Sequence, residues 1–266
     1  MKMQILKIPV INGLGKTKGC ENAPDSIILE LKGAYSNEKG RAIDSEAYNL
    51  QEIKTDSGNL EESSRKIYQE SKKFFAKKEF CISLGGDHSV SYPLCKAFSE
   101  LSENAGFLIF DAHAGCMHDF SPPAHEGWLR VLVEHDIPAK NAILAGLRNI
   151  HPIEAKFLAD KKIRYFSQSS MSGHLEDACD AIMEAARKFD SLYISLDIDA
   201  VDPAFAPAVA YPEPCGLSSR EIIYMVQRLG LLKNLKAVDI VEVNPMKDLN
   251  SITSRLAAKI ISELAR

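Results

Sequence analysis

The chain has 266 residues, 45% of them hydrophobic and 26% charged, with a formal net charge of −4 at pH 7. That is the composition of a globular protein able to bury a sizeable core. There is no basic excess to suit a nucleic-acid partner, and no apolar run nears the ~18 residues of a membrane span.

In chain order, "MKMQILKIPVINGLG" reads as a first strand, because it lacks the long apolar core and A-x-A site of a signal peptide. "NAPDSIILELK" reads as a helix with Asn22 as its cap and Pro24 in its first turn. "SGNLEESSRKIYQESKKFFAKK" reads as a long surface helix. Its lysines at 72, 73, 77 and 78 form a solvated face around Phe74 and Phe75. Continuous apolar runs at 81–85, 106–110, 141–146, 191–196 and 235–243 suit strands buried on both faces. "SSREIIYMVQRL" carries a capping box, Ser218 with Glu221. "NSITSRLAAKIISELAR" reads as a last helix, with Ile252, Leu256, Ile260 and Leu264 inward. Strands alternating with helices predict an α/β fold with a mostly parallel sheet, and one domain over 1–266. The six cysteines show no C-x-x-C pair, which predicts reduced thiols and a cytoplasmic protein.

Four of the apolar runs end in polar clusters: "GDHS", "DAHAGC", "DIDAVDP", and Glu242 followed by "VNP". Functional groups in open α/β sheets gather beyond the carboxyl ends of the strands. Residues at i and i+2 of a strand share a face, so Asp111 pairs with His113 and Asp197 with Asp199. Taken singly, each residue has a plain explanation. His88 suits a helix start, Asp202 a turn before Pro203, Glu242 a loop charge and His125 a surface loop. Taken together, acids and imidazoles at successive strand ends would repel one another without a cation. Oxygen and nitrogen donors without thiolate suit Mn²⁺, with Zn²⁺, Ni²⁺ or Fe²⁺ as alternatives. Carboxylates from two strands could bridge two ions about 3.5 Å apart.

The combination resembles the ureohydrolase superfamily of arginases, agmatinases and formimidoylglutamases. "GGDHS" (85–89), "DAH" (111–113), "SLDIDAVDPAFAPA" (195–208) and "EVNP" (242–245) carry the resemblance. "GKTKGCENAPDSII" resembles the opening segment, with Ala23 where glycine is usual. The resemblance implies a three-layer α/β/α sandwich and a homo-oligomer, trimer or hexamer. It implies a metal-activated hydroxide that attacks a guanidino or amidine carbon of a small cationic substrate. Carried over, His88 would bind the first Mn²⁺, and His113 and Asp199 the second. Asp111 and Asp197 would bridge both, Asp202 would support them, and Glu242 would hold the cationic group. His125 would shuttle a proton to the leaving amine.

Two departures stand out. Gly115 replaces the last Asp of D-A-H-x-D, a first-metal ligand in the family, and leaves three donors for the first ion and four for the second. Among its neighbours Cys116, His118 and Asp119, Asp119 or a water is the expected substitute. Glu126 separates His125 from Gly127, where the family has His-Gly, and Trp128 is a bulky neighbour. Met117 stands where arginases carry an Asn, so an agmatine-like substrate is favoured over arginine. Gly115 also keeps two alternatives open: a metal-poor, non-catalytic family member, and a mononuclear zinc deacetylase-like amidohydrolase.

Overall fold

The computed structural model describes residues 3–13, 15–43, 48–56 and 58–265. The strands are β1 (Met3–Ile8), β2 (Tyr48–Glu52), β3 (Cys81–Gly85), β4 (Ala105–Phe110), β5 (Ala142–Leu147), β6 (Arg164–Ser167), β7 (Ser191–Asp197) and β8 (Leu235–Val241). The helices are α1 (Ala23–Lys32), α2 (Leu60–Phe75), α3 (Ser91–Ser99), α4 (Trp128–His135), α5 (Pro152–Lys161), α6 (Gln168–Met171), α7 (Leu175–Ala186), α8 (Ser219–Leu229) and α9 (Ile252–Leu264). The strands form one sheet in the order β2-β1-β3-β8-β7-β4-β5-β6, and every neighbouring pair is parallel.

Alternating side chains of the central strands feed two cores. On one side, Leu108 and Ile194 pack with Ile27, Ile182, Ile222 and Ile260 of α1, α7, α8 and α9. On the other, Phe107 and Tyr193 pack with Phe74, Phe98, Leu132 and Phe157 of α2, α3, α4 and α5. This is a three-layer α/β/α sandwich. The apolar runs read as strands are β3, β4, β5, β7 and β8, and the N-terminal run is β1. The edge strands β2 and β6 are half-buried or exposed along their length.

The Ser218–Glu221 capping box is formed at α8. Asn22 stands at the N-cap of α1, but its side chain makes no capping bond. In α9 the inward face differs from expectation. Ile252 is 44% exposed and Leu256 is only partly buried, while Ala257, Ala258, Ile260, Ile261 and Leu264 are buried. α9 contacts both α1 and α8. A helix flanked on two sides buries a wider arc and uses small residues to allow the close approach. All six cysteines are free; five are buried and Cys215 is exposed. No helix among the described residues is long and apolar enough to cross a membrane.

Candidate metal centre

The four polar clusters sit at the carboxyl ends of β3, β8, β7 and β4, which are consecutive neighbours at the centre of the sheet. His88, Asp111, His113, His125, Asp197, Asp199 and Glu242 all line one cavity of about 360 Å³.

Strand alternation is not what pairs these candidate donors, and this corrects the sequence reading. β4 ends at Phe110, before Asp111, and Asp199 lies in a 3-10 turn after β7. Instead, each first aspartate folds the chain back on itself. Asp111 Oδ1 accepts the His113 N–H at 2.7 Å, and Asp197 Oδ1 accepts the Asp199 N–H at 2.8 Å. Such aspartate turns put i and i+2 on the same side by hydrogen bonding to the backbone. Asp199 also braces the neighbouring turn, because its Oδ1 accepts the Ala112 N–H at 3.0 Å.

Two overlapping donor sets result: His88, Asp111 and Asp197, and Asp111, His113 and Asp199, with the donor atoms of each set within 4.8 Å of one another. His88 Nδ1 lies 3.1 Å from Asp111 Oδ2 and 3.1 Å from Asp197 Oδ2. His113 Nδ1 lies 2.9 Å from Asp199 Oδ2 and 3.5 Å from Asp111 Oδ1. Asp111 therefore turns one oxygen to each set. Imidazole and carboxylate donors this close fit hard or borderline divalent ions. The electrostatics point the same way. Burial, then Asp199 and Asp111, push the Asp197 carboxyl well above its usual pKa. Burial opposes charge on His88, yet hydrogen bonds to Asp111 and Asp197 outweigh it and raise its pKa.

A buried polar stack supports His88 from below. Ser195 Oγ lies 3.0 Å from His88 Nε2 and donates to Asp239 Oδ1 at 2.7 Å. Ser91 and Tyr193 donate to Asp239 Oδ2 at 2.8 and 2.9 Å. Because Ser195 gives its proton to Asp239, it accepts the His88 Nε2–H, and Nδ1 is left facing the carboxylates. Sequence reading missed Asp239, although a lone acid inside the apolar run "LKAVDIVEV" was its signal. It also missed Arg148, whose guanidinium donates to the carbonyls of Asp199 at 2.6 Å, Glu213 at 2.8 Å and Pro214 at 3.0 Å.

Glu242 follows β8 with a left-handed backbone, φ +67°. Its Oε1 accepts the His88 N–H at 2.9 Å. Burial, then the Asp197 and Asp87 carboxylates, raise its pKa well above normal. His125 is half-buried, both of its ring nitrogens are buried without a hydrogen-bond partner, and its ring stacks on Tyr211 at 5.9 Å. Burial lowers its pKa. Asp202 accepts the N–H groups of Ala204 and Gly216, both at 2.9 Å, and so braces the loop after β7 rather than facing the cavity. No neighbour replaces the missing donor at Gly115. Asp119 is exposed, His118 stacks on Phe120 at 4.8 Å, and Cys116 is buried in the apolar core with its Sγ on the Ala114 carbonyl.

The cavity wall holds Glu126, Glu154 and His151 besides the donors, with Ile150, Pro152, Val209 and Ala210 as apolar stretches. No lysine or arginine is among these lining residues.

The family model described as "Arginase family" matches residues 1–266. A formimidoylglutamase of Halalkalibacterium halodurans is 30% identical over 68% of this chain, a match covering 58% of that relative. An N(1)-aminopropylagmatine ureohydrolase of Thermus thermophilus is 28% identical over 92% of this chain and 83% of its own. The crystal structure of a Bacillus subtilis formimidoylglutamase superposes with a TM-score of 0.90 at 25% identity, over 99% of this chain and 86% of its own.

Proposed function

Because the chain belongs to the arginase family, we propose that it is a metal-dependent hydrolase of linear C–N bonds whose substrate is a guanidino or amidine compound with a cationic tail. One observation carries this reading. Three carboxylates and two imidazoles converge from the ends of three central strands, in a cavity whose lining adds acids and no cation.

His88, Asp111 and Asp197 would hold one divalent ion, and Asp111, His113 and Asp199 the other. When bound, such ions acidify water enough to supply a nucleophile near neutral pH. The chain's own residues do the rest. Glu242 is a buried carboxylate short of a counter-charge, and a planar amidinium supplies one through two parallel charge-assisted hydrogen bonds. That pairing orients the reacting carbon toward the donor sets. His125 is held neutral by burial, so it can take a proton at a ring nitrogen and deliver it to the leaving amine. Ile150, Val209 and Ala210 give a methylene chain an apolar wall, and Glu126 meets a positive tail. An agmatine-like compound fits that wall. The α-carboxylate of arginine, or the carboxylates of a formimidoylglutamate, would enter an acidic cavity whose nearest lysine, Lys16, already faces the Glu126 carboxylate at 3.9 Å. Assembly as a homo-oligomer belongs to the same proposal, and light scattering tests it against the mass of a single chain.

The test is a panel of guanidino and formimidoyl compounds assayed for released urea, ammonia or formamide with Mn²⁺, Ni²⁺ or Zn²⁺. Compounds with cationic tails should give the highest kcat/KM. Turnover of none of them would overturn the proposal, and a preference for formimidoylglutamate would overturn its substrate half.

A further inference from the structure

Gly115 is more than a missing carboxylate. Its backbone is left-handed, φ +63°. Its carbonyl accepts the N–H groups of Leu129 at 3.1 Å and Arg130 at 3.3 Å. These bonds pin Gly115 to the first turn of α4, which starts at Trp128. The indole of Trp128 is fully buried and tilts over the His88 ring with centroids 4.6 Å apart. Its Nε1–H is buried with no hydrogen-bond partner. A Cβ at position 115 would lie 2.9 Å from that Nε1 and 3.2 Å from Cδ1. A bicyclic ring packed on all sides cannot swing clear as a flexible side chain could. An indole N–H can only donate, so the group beside the first donor set offers no lone pair to a cation.

The second donor set has no such handicap. Asp197 turns Oδ2 toward His88, but its Oδ1 lies against the Asp199 amide. Asp111 Oδ1 faces the His113 and Asp199 side, and the Glu213 carboxylate, 3.5 Å from His113 Nε2, braces that ring from behind.

We propose that Gly115 and Trp128 act as one steric unit that makes the centre unequal. The His113 side holds a divalent ion tightly, and the His88 side holds a second ion more weakly. Restoring a carboxylate at 115 then requires a smaller residue at 128. The inference rests on the metal reading of the site given above. Loss of a supporting partner outside the ligand shell typically costs about 10–100-fold in metal affinity. Lack of a direct ligand should therefore separate the two affinities by at least about tenfold.

Calorimetric titration of the chelator-treated protein with Mn²⁺, followed by elemental analysis after desalting, tests this without reference to activity. The protein should keep one ion per chain and bind the second at least about tenfold more weakly. His88→Ala should keep the tight ion and His113→Ala should lose it. Gly115→Asp alone should leave the weak ion weak, and Gly115→Asp with Trp128→Leu should retain two. Two equal ions in the unmodified protein, two tight ions in Gly115→Asp alone, or a tight ion surviving in His113→Ala would each overturn the inference. Failure of every form to bind Mn²⁺ would overturn the metal reading itself, and this inference with it.

Discussion

Asp239 has no exposed surface, and burial raises its pKa although three hydroxyls donate to it. Asp239→Asn would turn an amide N–H toward groups that are themselves donating. It should cost about 1–3 kcal/mol of stability, read by denaturant titration, and loosen metal binding about 10–100-fold through Ser195 and His88. His113 contributes to the pH behaviour of the metal-free protein. Burial opposes its charge, but hydrogen bonds to Asp111 and Asp199 prevail and raise its pKa from 6.5 to about 12. A raised pKa stabilises the fold fully below the unfolded value near 6.5. That contribution fades as pH rises toward about 12. Near neutral pH a metal must therefore displace a proton. The heat of Mn²⁺ binding should vary with the ionisation enthalpy of the buffer, and affinity should fall as pH drops. At the cavity wall, Glu126→Gln should raise KM for a cationic-tailed substrate by up to about tenfold with kcat unchanged, the pattern of lost uniform binding.

At the scale of elements, α8 depends on its capping box, in which Ser218 accepts the Glu221 N–H at 3.2 Å and Glu221 accepts the Ser218 N–H at 2.7 Å. Ser218→Ala should cost about 1 kcal/mol, seen as a lower urea midpoint at unchanged slope. That helix was legible in the sequence because its signal is local. β3, β4, β5, β7 and β8 were legible because strands buried on both faces are mostly apolar. β2 and β6 were not, because edge strands face solvent and their residues read as loop. The spacing of Asp111 with His113, and of Asp197 with Asp199, was legible for the wrong reason, since aspartate turns and not strand pleats produce it. Gly115 announced a lost donor, but nothing local said that Trp128, thirteen positions on, fills the space. Proximity of that kind comes from the tertiary fold.

Across the whole molecule, the donors tie together the ends of three central strands, so ligand binding there should stabilise the entire sheet. At a free Mn²⁺ concentration of 100 times Kd the gain is about 2.7 kcal/mol. Chelation should lower the melting temperature and added Mn²⁺ should restore it, as scanning calorimetry would show. The distribution of thiols has a consequence for measurement. Five of the six cysteines are buried, and burial raises the pKa of Cys20 and Cys81, the latter to about 12. Cys215 alone is exposed, two residues after Glu213, whose carboxylate reaches His113 Nε2 at 3.5 Å. The folded protein should consume one equivalent of a maleimide and the denatured chain six. A fluorophore attached there needs no engineered cysteine. It would stand at the rim of the cavity as an optical reporter of what enters.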